Sequence, residues 1–75
     1  MKIEKEILFH LPGYAYSELL YSDFKENKRE EDEIVNILED RLSVEKFDIK
    51  KAPTLVSVRK DGSYIKILEG DRQIP

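Results

Sequence analysis

No cysteine occurs in this chain of 75 residues. That excludes a disulfide, a thiolate metal ligand and a sulfur nucleophile, and it leaves the redox state of the compartment unmarked. Tryptophan is also missing, and histidine occurs once, at His10; one imidazole without thiols cannot assemble a zinc site. Long apolar runs are lacking too. The first, Ile7-Leu8-Phe9-His10-Leu11, stops at Pro12-Gly13, and the residues before it, Met1-Lys2-Ile3-Glu4-Lys5-Glu6, carry charges of both signs. Neither a signal peptide nor a membrane helix is expected, so the sequence reads as a cytoplasmic protein that engages no membrane. Nor is there an excess of positive charge. With 13 Lys and Arg against 16 Asp and Glu, the formal net charge is −3, the wrong sign for displacing counterions from nucleic acid.

What is present reads as one folded domain over residues 1–75. Hydrophobic residues (40%) balance charged ones (39%), and they gather in periodic runs rather than being diluted along the chain. The run over 7–11, closed by Pro12-Gly13, predicts a buried strand and a turn. Tyr16, Leu19, Leu20 and Phe24 recur at spacings of three and four, which lays one stripe along a helix whose start Ser17 or a neighbour can cap. Beyond it, Lys25-Glu26-Asn27-Lys28-Arg29-Glu30-Glu31-Asp32 reads as a solvated connection, as do Glu33, Glu39 and Asp40. Ile34-Val35-Asn36-Ile37-Leu38 predicts a second strand, and a short helix follows over about 40–47 with Leu42 and Phe47 inward. Segments 54–58 and 64–68 flank Asp61-Gly62 as a hairpin. The predicted class is α/β, in the order βαβαββ around a central mixed sheet.

The segment Ala52-Pro53-Thr54-Leu55 leads into the strand-like Val56-Ser57-Val58 and the corner Lys60-Asp61-Gly62. Before it, Val44-Glu45-Lys46-Phe47-Asp48-Ile49-Lys50-Lys51 reads as a helix end. Together they resemble the second half of the thioredoxin/glutaredoxin superfamily, and the resemblance extends from Ile7 to Gly70. It implies a minimal thioredoxin-like fold with a cis bond at Ala52-Pro53. In the family that proline faces a Cys-x-x-Cys motif at the start of the first helix, where the helix dipole favours a thiolate. Here Pro12-Gly13-Tyr14-Ala15-Tyr16-Ser17 stands in that place and is similar to the glutaredoxin pattern Pro-Gly-Cys-Pro-Tyr-Cys. Tyr14 and Ser17 replace the two cysteines. Neither a phenol nor an alcohol can form the mixed disulfide through which exchange proceeds, so the family's activity does not carry over and no enzyme, cofactor or metal is expected.

The resulting expectation is a redox-inactive, protein-binding module that modulates a partner protein, in the manner of a bacteriophage or mobile-element protein acting on a host factor. The candidate binding residues are Tyr14, Tyr16, Ser17, Ala52, Pro53 and Thr54. The alternative is a glutathione-type small-ligand binder or enzyme using the Tyr14 and Ser17 hydroxyls, with Glu69-Gly70-Asp71-Arg72 loosely imitating a carboxylate-binding turn; a homo-oligomer subunit is a third reading. From the residues alone, Ser17 reads as a helix cap, Tyr16 as a core residue and His10 as a hydrogen-bonded core histidine. The family has a further helix after the glycine, whereas Asp71-Arg72-Gln73-Ile74-Pro75 follows here. One sheet face is therefore expected to lie open to a partner or a second copy, with Ile37 or Val56 near its centre.

Overall fold

The structure is a computed structural model that describes residues 3–75. Its elements follow as β1 (Ile3–His10), α1 (Ala15–Asn27), β2 (Glu33–Asn36), α2 (Arg41–Lys46), β3 (Lys51–Arg59) and β4 (Tyr64–Gln73). They build one four-stranded mixed sheet in the order β2-β1-β3-β4. β1 runs parallel to β2 and antiparallel to β3, and β3 is antiparallel to β4. The α/β class and the element order match the sequence reading, while the strand lengths do not. β1 reaches back to Ile3 through charged residues because β3 offers a ladder as far as Ile3 opposite Arg59, and β4 continues to Gln73 opposite Lys51. β2 ends at Asn36. Ile37 then enters a turn and still donates its N–H to His10 O at 2.9 Å.

Turn chemistry sets the corners. Leu11-Pro12-Gly13-Tyr14 closes with Tyr14 N–H on Leu11 O at 3.3 Å, with Gly13 at φ +88, the third-position geometry that a type II turn reserves for glycine. Gly62 at φ +90 takes the left-handed fourth position of the Arg59–Gly62 turn in the β3–β4 hairpin, its N–H on Arg59 O at 3.0 Å, and Asp61 Oδ1 accepts the Ser63 N–H. Asp40, read as a solvated acid, is the cap of α2: its carboxylate accepts both the backbone N–H and the hydroxyl of Ser43, satisfying donors the first turn cannot.

The two sheet faces are covered differently. On the α2 side Ile7, Phe9, Val35, Ile37, Val44 and Val56 form the main core, and Phe9, Phe47 and Tyr64 pack in series with ring centroids 5.7 and 4.9 Å apart. Ile37 and Val56, expected at the centre of an open face, are both fully buried here. The other face carries Leu8, Leu55 and Leu68 beneath Leu20 and Phe24 of α1. At its β4 margin Ile65 and Ile67 stay 48% and 50% exposed, and a register shift between Leu55 and Val56 bends β4 there.

Both helices depart in part from their predicted inward faces. Ser17 is the buried residue of α1 while Leu19 is 69% exposed and Tyr16 also faces solvent; Leu20 and Phe24 keep the inward places predicted for them. Leu42 is 81% exposed and Val44 is the inward residue of α2. Six residues make less than two turns, too few for a periodic pattern to fix a face.

Asp32 also departs from its reading as a solvated acid. It is buried, and its carboxylate accepts the Glu6 N–H at 2.9 Å, the Arg29 N–H at 3.0 Å and the forked Arg29 guanidinium at 3.0 and 3.2 Å. Burial pushes its pKa up, but the Arg29 guanidinium and the two backbone N–H groups outweigh this, so the carboxyl sits below its ordinary value. A depressed folded-state pKa contributes stability that is present above the unfolded value of about 3.9 and lost as pH falls through the folded one. The gap in melting temperature between the parent and Asp32→Asn is thus expected to be constant above about pH 5 and to close below about pH 4. Calorimetry across that range tests this, and a gap that stays unchanged down to pH 2 would contradict it.

Candidate functional site

At the C-terminal ends of the parallel strands β1 and β2, the chain opens into a cleft of about 470 Å³. Crevices outside the carboxyl ends of strands are where open α/β sheets bind ligands. Leu11, Pro12, Gly13 and Tyr14 come from the turn after β1, Leu38 from the turn after β2, and Arg72, Gln73 and Pro75 from the end of β4 and beyond. Arg41 closes the rim, its guanidinium donating to Ile37 O and Pro75 O.

Tyr14 is the pivot of this site. Its phenol donates to Asp71, its ring lies edge-on to Tyr16 at 6.4 Å, and the Arg72 guanidinium sits 5.5 Å over its face. The Asp71 carboxylate accepting its proton, partial burial and the Asp71 charge together raise its pKa above the ordinary 10.0, with Arg72 opposing. Tyr14 also packs, with Ile74, against the core cluster that includes Ala52.

The structure separates the sequence-predicted site residues into two groups. Tyr14 and Tyr16 lie at the surface beside the cleft, whereas Ser17, Ala52, Pro53 and Thr54 have essentially no solvent contact. The Ala52–Pro53 bond is cis, as the resemblance implies. Thr54 spends its hydroxyl on Lys51 O at 2.6 Å, and no ligand can touch Ala52 or Thr54 in this arrangement.

Ser17 caps nothing, for α1 begins after Tyr14 without a side-chain cap. Its Oγ accepts the Leu11 N–H at 2.8 Å and lies 2.8 Å from His10 Nδ1, while His10 Nε2 faces Glu18 Oε2 at 3.6 Å. The Nε2–H tautomer satisfies both ends, since the Ser17 hydroxyl then donates to Nδ1. Tyr21 stacks on the imidazole at 4.4 Å. A serine, an imidazole and a carboxylate in a row have the composition of a hydrolytic triad, but a nucleophile must reach its substrate. Ser17 is fully buried, so the row is a structural brace that ties β1 to α1. Glu18 extends it by accepting the Gly13 N–H at 2.9 Å.

Sequence reasoning did not find Leu38 and did not give Arg72 a place beside Tyr14. Leu38 looked like strand interior, and only the early end of β2 turns it outward. Among the described residues no cluster of three or more His, Asp or Glu side chains could hold a metal ion, and no helix is long and apolar enough to cross a membrane. Comparison with protein-family models, with curated proteins and with solved structures finds no match to this chain.

Proposed function

We propose that this chain is a redox-inactive, thioredoxin-like module that binds and modulates a partner protein through the Tyr14 cleft. The observation that carries the reading is the cleft itself, built from apolar side chains at the end of the parallel strands with its hydroxyls already committed. The Tyr14 phenol is held by Asp71 and the Ser17 hydroxyl is buried against His10. Surfaces of this composition bind by complementarity, since among the described residues no free nucleophile or base faces the opening. Support for the thioredoxin-like architecture comes from the strand order, the Pro-Gly turn entering α1 and the packing of Gly70 on Ala52 and Pro53.

The glutathione reading loses its two hydroxyls on the same grounds. Self-association draws on a different surface, the half-exposed Ile65 and Ile67 at the β4 margin. Affinity capture from a host lysate with the parent and with Tyr14→Ala and Leu38→Ser separates the readings. Capture of a defined protein that both substitutions abolish is the expected result. Capture unaffected by either would remove the cleft from the function, and loss of self-association on Ile65→Lys in light scattering would favour the oligomer.

A further inference from the structure

Arg72 occupies an unusual position in this acidic chain. Aspartate and glutamate outnumber lysine and arginine by 16 to 13, yet among the described residues no acidic side chain lines the cleft and Arg72 carries its one charged side chain. The acid beside it in sequence, Asp71, accepts the Tyr14 phenol on one oxygen and, among the described residues, makes no ion pair with Arg72. Among the described residues the Arg72 guanidinium takes no hydrogen bond and no ion pair; its contact is the face of the Tyr14 ring at 5.5 Å. A cation–π contact of this kind keeps the guanidinium beside the ring while leaving its N–H donors free. Around it the walls are Leu11, Pro12, Leu38 and Pro75. A guanidinium held beside that ring without an acceptor, set among apolar walls, is complementary to one carboxylate attached to an apolar body.

We propose that the partner segment taken by this cleft is an acidic peptide, with an Asp or Glu carboxylate on Arg72 and a neighbouring Leu, Ile or Phe against Leu11 and Leu38. The proposal rests on the protein-binding reading above. A cavity of about 470 Å³ holds two or three residues of such a segment. The net charge of −3 repels polyanions such as nucleic acid, whereas a single carboxylate between apolar residues responds to the nearest charges, Arg72 attracting it and Asp71, bound to Tyr14, opposing.

Selection from a random octapeptide display library, using the parent protein, Arg72→Gln and Leu38→Ser as baits, tests this. The parent is expected to enrich peptides in which Asp or Glu adjoins a large apolar residue, and Arg72→Gln to lose the acid while keeping the apolar preference. Fluorescence anisotropy of one selected peptide should show about a tenfold loss on Arg72→Gln and on amidation of its acid. The two losses should not add in the doubly altered pair, because they remove one contact, and the parent affinity should weaken as salt is raised. Peptides that need Leu38 but ignore both Arg72 and the acid would overturn the proposal and leave the protein-binding reading standing. Selection of basic peptides would also overturn it. Shifts at Gly13 and Arg72 produced by acetate or inorganic phosphate alone, with no gain from an apolar neighbour, would make the cleft an anion site and overturn it as well. A parent protein that selects no peptide through the cleft would sink both readings together.

Discussion

Gly70→Ala is expected to be the most damaging substitution of a single hydrogen by a methyl group anywhere in the described chain. A Cβ at position 70 would lie 2.2 Å from the Ala52 carbonyl oxygen and 2.5 Å from both the Ala52 carbonyl carbon and Pro53 Cδ. Those atoms belong to backbone and to a proline ring, so no flexible side chain can yield. Ala52 and Pro53 are themselves fully buried, which forces β3 and β4 apart or the core to repack. Overpacking of softer neighbours already costs about 1 to 3 kcal/mol. Against a net stability on the order of 5 kcal/mol for so small a domain, a loss of about 3 kcal/mol or more leaves a large unfolded fraction near 37 °C. Urea unfolding followed by circular dichroism measures it. Gly62→Ala serves as the comparison, because nothing lies within 4 Å of its Cβ and only its φ of +90 opposes the change, a cost of about 1 kcal/mol. Equal midpoints for the two variants would refute the close-packing argument.

Val56→Lys is expected to unfold the protein outright. Val56 is fully buried, pairs with Ile7 on one side and stands opposite Lys66 on the other. The substitution removes roughly 1.5 to 3 kcal/mol of apolar burial. It also inserts an ammonium without a carboxylate, and an uncompensated buried charge costs about 3 to 5 kcal/mol. Lys66, whose own ammonium donates to Asp48 O at 2.6 Å, adds like-charge repulsion directly across the strands. Together these losses equal or exceed the whole net stability. Ile37→Lys should behave alike, and Leu19→Lys, on the outer face of α1, should stay within about 0.5 kcal/mol of the parent. The amide spectrum of each variant decides the matter: a dispersed, native spectrum for Val56→Lys would mean that this position faces solvent or a partner rather than the core.

Both results turn on which face a residue occupies, and that is where the sequence and the structure part. The apolar runs at Ile7-Leu8-Phe9 and Leu55-Val56 mark strands buried on both sides, so alternation cannot say which residue lies under which helix. Leu8 and Leu55 lie beneath α1, and Ile7 and Val56 lie on the α2 side. Helix faces were misjudged where a polar residue took the inward place: Ser17 is buried because His10 and the Leu11 N–H are waiting for its hydroxyl. No hydropathy pattern contains that bond. Asp32 was misread for the same reason, since its partners Glu6 N–H and Arg29 are fixed only once β1 and the α1–β2 connection have come together.

The candidate site divides in the same way. Pro12-Gly13-Tyr14 could be picked out because a proline and a glycine in that order specify a turn by their own backbone preferences, and Tyr14 then had to stand at its exit. The placement of Arg72 over Tyr14 spans 58 positions of chain, and its geometry follows from the long β3–β4 pairing that carries β4 as far as Gln73.

The amino-acid sequence by itself determined the order of elements, the turns at Gly13 and Gly62, the absence of thiol chemistry and the acidic balance, because each depends on local conformational preference or on composition. Tertiary structure alone decided that Val56 and Ile37 belong to the core, that Ser17 and His10 brace the first helix, and that Leu38, Tyr14 and Arg72 share a cleft. Those outcomes depend on which distant groups meet once the sheet forms, and a buried polar contact is set by its partner rather than by its neighbours in the chain.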